Sequence, residues 1–343
     1  MSKNKNSYSV RNKVSRSNFK YKIILNNIRL EASSMCQLNC PLCITGTRKN
    51  KKGVIGWGYL KFQDFKNFLK ENPNINNIEL SNYGEIFLNP ELKDIIKYAY
   101  TNSLHLTAKN GVNLNTISED ITKCLVKYEF RVLSVSIDGA TNKTYQIYRV
   151  GGNFNKVINN VKKINYYKKK YKKKFPRLIW QFVIFGHNEH EFLFAKKMAE
   201  KLDMKFTPKF NWDPLYSPVK DKEFVRKESN YGVASREEFM QKYKKDHRLQ
   251  CYQLWFHPQI NWDGKLLGCC SNIFSDFGNV FVLGLKECLK SEKYIYTKRM
   301  LLGEVKARKD IPCFKCRLYI NKIPQRYLDL EYIEEQTKNY YDL

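Results

Sequence analysis

The chain has no apolar run of 18 residues, which excludes a membrane-spanning helix of ordinary length. Its first 27 residues are Lys-, Asn-, Ser- and Arg-rich with no apolar segment of the kind a secretory signal needs, so a cytoplasmic protein with no membrane partner is expected. Acidic residues are scarce, with Asp and Glu at 33 against 61 Lys and Arg, a formal net charge of +28. Such an excess ordinarily points to a polyanionic partner. Here it is mostly Lys, spread along the chain amid Asn, Ile and Tyr as an AT-rich genome would give, and nucleic acid is a possible but not the favoured partner. Histidine is rare at 5 residues, and only His187 and His190 stand close together, at a position that reads as a loop and helix start. No repeat of solenoid type is present.

What the chain does have is enough apolar and aromatic residues, 43% and 14%, to bury a sizeable core. It also has 10 cysteines, which in an intracellular chain argue for a metal rather than a disulfide framework. They divide the chain better than any Pro/Gly-rich linker does. Residues 1–27 read as a basic, flexible arm, 28–212 as a core of alternating elements, and 213–250 as a charged connector. Residues 251–320 read as a Cys-bearing module and 321–343 as a polar helical tail.

In the core, strand-like runs at Ile28–Ala32, Ile78–Ser81, Leu104–Ala108, Val132–Ile137, Ile179–Phe185 and Lys205–Phe210 alternate with helical patterns such as Phe62–Leu69, Pro90–Tyr100 and Phe192–Leu202. That alternation predicts βαβ units and a parallel sheet, with six strands too few for a closed eight-stranded barrel. Chemistry is then expected where strands end.

After the first strand comes Cys36-Gln-Leu-Asn-Cys40-Pro-Leu-Cys43. Three closely spaced thiolates without a local fourth suit an iron–sulfur cluster with one iron open to a non-protein ligand. A zinc knuckle is the alternative, though zinc normally takes C-x-x-C pairs or His in its set. Tyr83-Gly84-Glu85 follows the second strand, Lys109-Asn110-Gly111 the third, and Ser134-Val-Ser136-Ile-Asp138-Gly139 lies on the fourth. Tyr145 and Arg149 form a Tyr-x-x-x-Arg pair, and Ile184-Phe-Gly186-His-Asn-Glu189 ends the fifth.

In this order, one per strand, these motifs resemble those of the radical S-adenosylmethionine (SAM) superfamily. The resemblance implies a partial (β/α)6 parallel barrel of α/β class and a 4Fe–4S cluster on Cys36, Cys40 and Cys43. The open iron would be chelated by the amino and carboxylate groups of SAM. It implies further SAM contacts from Gly84 and Glu85 to the amino group, from Asn110, and from Ser136 and Asp138 near the ribose and carboxylate. Arg149 would sit on the carboxylate and Ile184 on the adenine. Leu42 stands where the family usually has an aromatic over the adenine, Tyr83 replaces a Gly, and Phe182 replaces another.

A second constellation is Cys251, Gly264-Lys-Leu-Leu-Gly-Cys269 and Cys313-Phe-Lys-Cys316, with an Asp-Gly hairpin turn at Gly264. It resembles the SPASM and shorter twitch modules that carry auxiliary clusters. The resemblance implies an auxiliary 4Fe–4S cluster on Cys251, Cys269, Cys313 and Cys316, with a structural zinc as the alternative. Cys269 is expected to ligate rather than Cys270. Cys124 and Cys288 fall in amphipathic patterns and read as buried thiols.

The implied activity is reductive cleavage of SAM to a 5′-deoxyadenosyl radical, fed by a reductant such as flavodoxin or ferredoxin, and hydrogen abstraction from a substrate C–H. Oxidation of a small polar molecule (a sugar or cyclitol alcohol) or of a peptide residue is favoured, with the auxiliary cluster as electron acceptor. A redox-neutral epimerase, an RNA-modifying enzyme and a non-enzymatic iron–sulfur protein are the alternatives. No peptide-recognition domain precedes Cys36, so a peptide substrate is expected to bind directly or through a separate protein. Lys209, Asn211, Trp212 and Asp213, after the sixth strand, are expected at the cavity mouth. No residue is named as catalytic acid, base or hydrogen donor. The Lys168–Lys174 run reads as a solvated helix end on the face away from the chemistry.

Overall fold

A computed structural model describes residues 25–243 and 251–322. Most of the basic arm, the end of the connector and the tail from residue 323 lie outside the described residues. Seven parallel strands form one sheet in the order β6-β5-β4-β3-β2-β1-β7. They are β1 (Asn27–Leu30), β2 (Asn77–Glu79), β3 (His105–Val112), β4 (Val132–Ser136), β5 (Arg177–Ile184), β6 (Met204–Phe210) and β7 (Gln259–Ile260). Strands in such a sheet are covered on both faces and read as continuous apolar runs. β4 shows this, with all five of its residues buried.

The crossovers are amphipathic helices: α1 (Phe62–Glu71), α2 (Leu92–Thr101), α3 (Glu119–Lys127), α4 (Asn142–Tyr148), α5 (Phe154–Lys170) and α6 (Phe192–Lys201). α5 buries Phe154, Val157, Ile158, Val161 and Ile164, the spacing of one helix face, and leaves its lysines other than Lys168 exposed. Ser118, Thr141 and Asn153 cap α3, α4 and α5, each side chain accepting from a backbone N–H of the first turn. Cys124 is buried on α3.

Three features depart from the sequence reading. First, β3 continues to Val112, so Lys109-Asn110-Gly111 lies within the strand. The register against β4 shifts between Ala108 and Val112, and Gly111 has φ of +135° with no room for a Cβ beside Ser136 Oγ. This is a bulge, and it turns the motif toward the barrel interior. Second, the connector carries α7 (Lys222–Glu228) and α8 (Arg236–Tyr243), and its Val225, Val233 and Ala234 join the main core. Third, the predicted hairpin forms, with Gly264 N–H donating to Asn261 O (3.0 Å), but its first strand is β7, which pairs with β1. The C-terminal module thus extends the barrel sheet instead of hanging from it. The rest of that module is α9 (Gln253–Phe256), α10 (Val280–Leu283), α11 (Leu285–Lys290), α12 (Glu292–Leu301) and α13 (Arg317–Lys322), with Cys288 buried on α11. Among the described residues, no helix is long and apolar enough to cross a membrane.

Candidate functional site

Past β1 the chain reaches Glu31, whose buried carboxylate accepts from the N–H groups of Tyr83 (3.0 and 3.1 Å) and Gly84 (3.3 Å). Burial pushes this carboxyl up to about 8, with the two N–H groups opposing. Beyond it the Cys loop winds back on itself. Cys43 N–H donates to Cys40 O (3.1 Å), and Arg48 donates to the carbonyls of Leu38 (3.2 Å) and Thr45 (2.7 Å) and to Asn39 Oδ1 (2.9 Å). Gly46 lies against this turn, where a Cβ would stand 2.6 Å from Cys40 O and 2.7 Å from Cys40 N. The backbone approach itself requires glycine.

Leu38, Cys40, Tyr148, Val183 and Phe185 form an apolar nest with Cys36, Leu42 and Cys43 packed at its margin. Into it reach a few donors: Leu38 N–H at 3.4 Å and Asn113 Nδ2 at 3.7 Å from Cys36 Sγ, and Arg149 Nη1 at 3.9 Å from Cys40 Sγ. Burial pushes the Cys36 thiol up to about 12 and raises that of Cys40, where Arg149 opposes it. Thiols held this way ionise when a metal centre replaces the proton. The donor set is three thiols in a nest that admits no Cβ at Gly46, and it fits a 4Fe–4S cluster. Each thiolate of such a cluster binds a different iron, so the sulfurs stand farther apart than around one zinc ion with bonds of about 2.3 Å. Among the described residues, no three His, Cys, Asp or Glu side chains close on a single-ion site.

The three cysteines open onto a cavity of about 1070 Å³. Leu42, Gly84, Glu85, Asn110, Ser136, Arg149 and Ile184 line it too. Glu85 is held by the N–H groups of Asn113 (2.5 Å) and Phe87 (3.3 Å), and burial pushes its carboxyl up to about 7. Asp138 is not on the wall. It is fully buried behind Arg149, accepting from Arg149 Nε (2.6 Å) and from Val183 N–H (2.7 Å), and so aims the guanidinium at the cavity. Lys209, Asn211 and Trp212 line the cavity, whereas Asp213 turns to its own loop and accepts from Leu215 N–H (3.0 Å).

The second set of cysteines meets around a small apolar pocket. Cys251, Cys269, Cys313 and Cys316 line it with Leu254, Leu301 and Pro312. Burial pushes Cys313 up to about 12 and raises Cys269 well above the usual thiol range, with Cys270, Cys251 and Cys313 adding to the latter. Cys269 and Cys270 occupy a turn, and Cys270 lines the large cavity instead of this pocket. Ser271, Ile273, Arg317 and Leu318 of the C-terminal module line that cavity as well. One chamber therefore touches the Cys36–Cys43 loop on one side and the turn of Cys269 and Cys270 on the other. The lysines of residues 168–174 border a separate open depression near Asp203, away from both sets.

The sequence reading missed Glu31, Gly46 and Asn113. Gly46 follows Cys43 closely enough to have been noticed, while Glu31 and Asn113 act through contacts that no local pattern encodes. Replacing Gly46 with Ala tests the nest. The added Cβ must displace the Cys40 backbone, an overpacking cost of about 1–3 kcal/mol. Iron analysis of anaerobically reconstituted protein should show loss of the iron held by this loop and retention of the iron at the other site. Undiminished iron content would show that the loop tolerates a side chain there.

Residues 251–317 match the SPASM family, an iron-sulfur cluster-binding domain. A curated relative, the 7,8-dihydro-6-hydroxymethylpterin dimethyltransferase of Methanocaldococcus jannaschii, is 31% identical over 159 residues, covering 43% of this chain and 29% of that protein's length. The fold is shared with Streptococcus suis SuiB bound to S-adenosylmethionine, at a TM-score of 0.62 and 14% identity over 88% of this chain and 75% of that one. SuiB bound to its precursor peptide SuiA superposes with a TM-score of 0.59 at 13% identity, over 78% of this chain and 65% of that one. The structure of anSMEcpe with bound AdoMet gives 0.58 at 16% identity over 92% of both chains.

Proposed function

We propose, on the premise of a radical SAM fold that ends in a SPASM iron–sulfur module, that this protein oxidises a residue of a peptide by radical chemistry. The observation that carries the reading is the shared chamber between the Cys36–Cys43 loop and the Cys269–Cys270 turn. A substrate held there lies between a site that can generate a radical and one that can take an electron from it. When bound, the 4Fe–4S cluster and SAM on one side would supply the radical chemistry that takes a hydrogen atom from a substrate C–H, and an auxiliary cluster on the other would supply the acceptor for the remaining electron.

The chain's own residues do the positioning. Cys36, Cys40 and Cys43 hold the first cluster and Cys251, Cys269, Cys313 and Cys316 the second. Glu85 and Arg149 receive the charged ends of SAM, with Asp138 orienting Arg149, and Gly84, Asn110, Ser136, Leu42 and Ile184 shape the cavity for the nucleoside. The nest of Leu38, Tyr148, Val183 and Phe185 keeps water from the reacting end. The electron donor is of flavodoxin or ferredoxin type.

One observation supports a peptide over a small alcohol. The rim of the cavity carries apolar side chains facing solvent, Trp212 and, close by, Leu215 at 90% exposure. The fold shared with SuiB, whose structure includes the precursor peptide SuiA, agrees with this.

A second reading rests on Cys270. A thiol on the chamber wall could return a hydrogen atom to the substrate radical, giving a redox-neutral epimerisation. Running the reaction in deuterated water separates the two, with the substrate first found by mass spectrometry of peptides from a deletion strain. A product oxidised by two electrons and free of deuterium at the reacting carbon is expected. Deuterium there, at unchanged oxidation state and lost in Cys270→Ala, would replace oxidation with epimerisation.

A further inference from the structure

The residue that departs from the superfamily motif after β2 is tied to the auxiliary site. The Tyr83 hydroxyl stands 3.0 Å from both Cys270 O and Asn272 O and donates its one hydrogen between them. Its neighbour Asn82 donates from Nδ2 to the same Cys270 O (3.2 Å), and Asn82 Oδ1 is itself held by Asn110 Nδ2 (3.0 Å). A glycine at position 83 would leave both carbonyls without the hydroxyl. From the other side, Cys270 N–H donates to Gln253 Oε1 (2.7 Å), so the turn beside Cys269 is gripped at both faces.

The same four-residue stretch is fixed at the SAM site. Glu85 N–H donates to Met35 O (2.7 Å), next to Cys36, and the Glu85 carboxylate lines the SAM cavity. Between the two ends there is no slack. A Cβ on Gly84 would fall 2.2 Å from Ser33 O, and Glu31 holds the Tyr83 and Gly84 N–H groups from below. The Tyr83 ring is buried against Ile55 and Leu267, the latter just before the Cys269 turn. Close-packed interiors transmit small displacements rather than absorb them.

We propose that Asn82 and Tyr83 are positioning residues that couple the two cluster sites, so that SAM bound at Glu85 alters the setting of Cys269 and hence the potential of the auxiliary cluster. The route is the pair of carbonyl dipoles at Cys270 and Asn272, which lie in the turn that follows Cys269 and contribute to the field that tunes a cluster. The inference rests on the proposed two-cluster function. By linkage it works in both directions: reducing the auxiliary cluster changes SAM affinity by the same factor.

The test is a redox titration followed by electron paramagnetic resonance, with and without SAM, on the reconstituted wild type and on Tyr83→Phe and Asn82→Ala. In the wild type, SAM is expected to shift the midpoints of both clusters. In Tyr83→Phe, which keeps the ring packing, the shift of the auxiliary cluster should fall by at least half, and in Asn82→Ala by less. The direct shift of the SAM-site cluster should persist in both. An auxiliary midpoint indifferent to SAM in the wild type, or a shift undiminished in both variants, overturns the proposal. A lower melting temperature in Tyr83→Phe with the full shift retained would mean that the hydroxyl only supports the fold, and overturns it equally. If Tyr83→Phe fails to hold the auxiliary cluster, the Asn82→Ala titration decides alone. A wild type that neither binds SAM nor holds a second cluster overturns the proposed function and this coupling together, whereas a protein that cleaves SAM with an insensitive second cluster overturns only the coupling.

Discussion

Replacing Cys36, Cys40 and Cys43 together with alanine is expected to lower bound iron from about eight atoms to about four and to abolish reductive cleavage of SAM. The three thiols reach the cavity from one loop, and with them gone no three His, Cys, Asp or Glu side chains among the described residues are grouped to hold a metal ion in their place. Their removal leaves the loop's scaffold in place. The contacts of Arg48 and the packing of Leu38 do not pass through sulfur. Alanine deletes one atom at each position, two of them at the partly open margin and only Cys40 inside the nest, so the variant should fold. The four remaining irons should report the second site untouched, because Cys251, Cys269, Cys313 and Cys316 lie around a different pocket. Anaerobic reconstitution with iron and sulfide analysis, followed by chromatographic assay of 5′-deoxyadenosine with dithionite, reads both quantities. A variant that keeps all its iron, or a wild type that binds only zinc, would sink the two-cluster assignment. Persistent absence of 5′-deoxyadenosine from a wild type with both clusters would favour a non-enzymatic protein. S-adenosylhomocysteine with a methylated substrate would favour methyl transfer, the activity named for the Methanocaldococcus jannaschii relative.

The parts of this site that are legible in the sequence are those whose spacing is set by chemistry. The Cys triplet, Glu85 and Arg149 occupy a loop, a strand end and a helix end in fixed order, and the fold brings them to one wall. Strand positions were readable because a parallel sheet buries both faces and leaves apolar runs, as in β4 and β5. What stayed hidden depends on distant partners. Asp138 looks like a cavity residue in its motif, yet Val183 N–H and Arg149 Nε occupy both its oxygens. The connector reads as polar because, among its described residues, Val225, Val233 and Ala234 are the buried apolar ones in the core, while Val219, Phe224, Tyr231 and Phe239 pack against it only in part. Tyr83 reads as a flaw in its motif until Cys270 and Asn272, remote in sequence, are placed against its hydroxyl. β7 is two residues long and gives no periodic signal at all.

That short strand bears on the variant in which Cys313 and Cys316 are both replaced with alanine. β7 pairs with β1, so the sheet is a route by which damage in the C-terminal module would reach the Cys36–Cys43 loop. The pairing, however, rests on backbone bonds such as Arg29 N–H to Pro258 O (3.1 Å) and Glu31 N–H to Ile260 O (3.0 Å), and the hairpin behind it closes through Leu267 N–H to Gln259 O (2.8 Å). None passes through Cys313 or Cys316, which sit on the short turn ahead of α13. The expected outcome is therefore loss of about four irons with SAM cleavage retained to within about tenfold, a change of roughly 1.4 kcal/mol in barrier. Formation of the oxidised product should fall by more than about a thousandfold, roughly 4 kcal/mol, because the substrate radical loses its electron acceptor. The ratio of 5′-deoxyadenosine to product, measured on one reaction by mass spectrometry, should rise steeply. If both fall in parallel, the auxiliary site is needed to build the SAM site and the electron-acceptor role loses its support. If product formation survives without the second cluster, the substrate radical is quenched by a hydrogen atom instead, and Cys270 on the chamber wall becomes the residue to replace next.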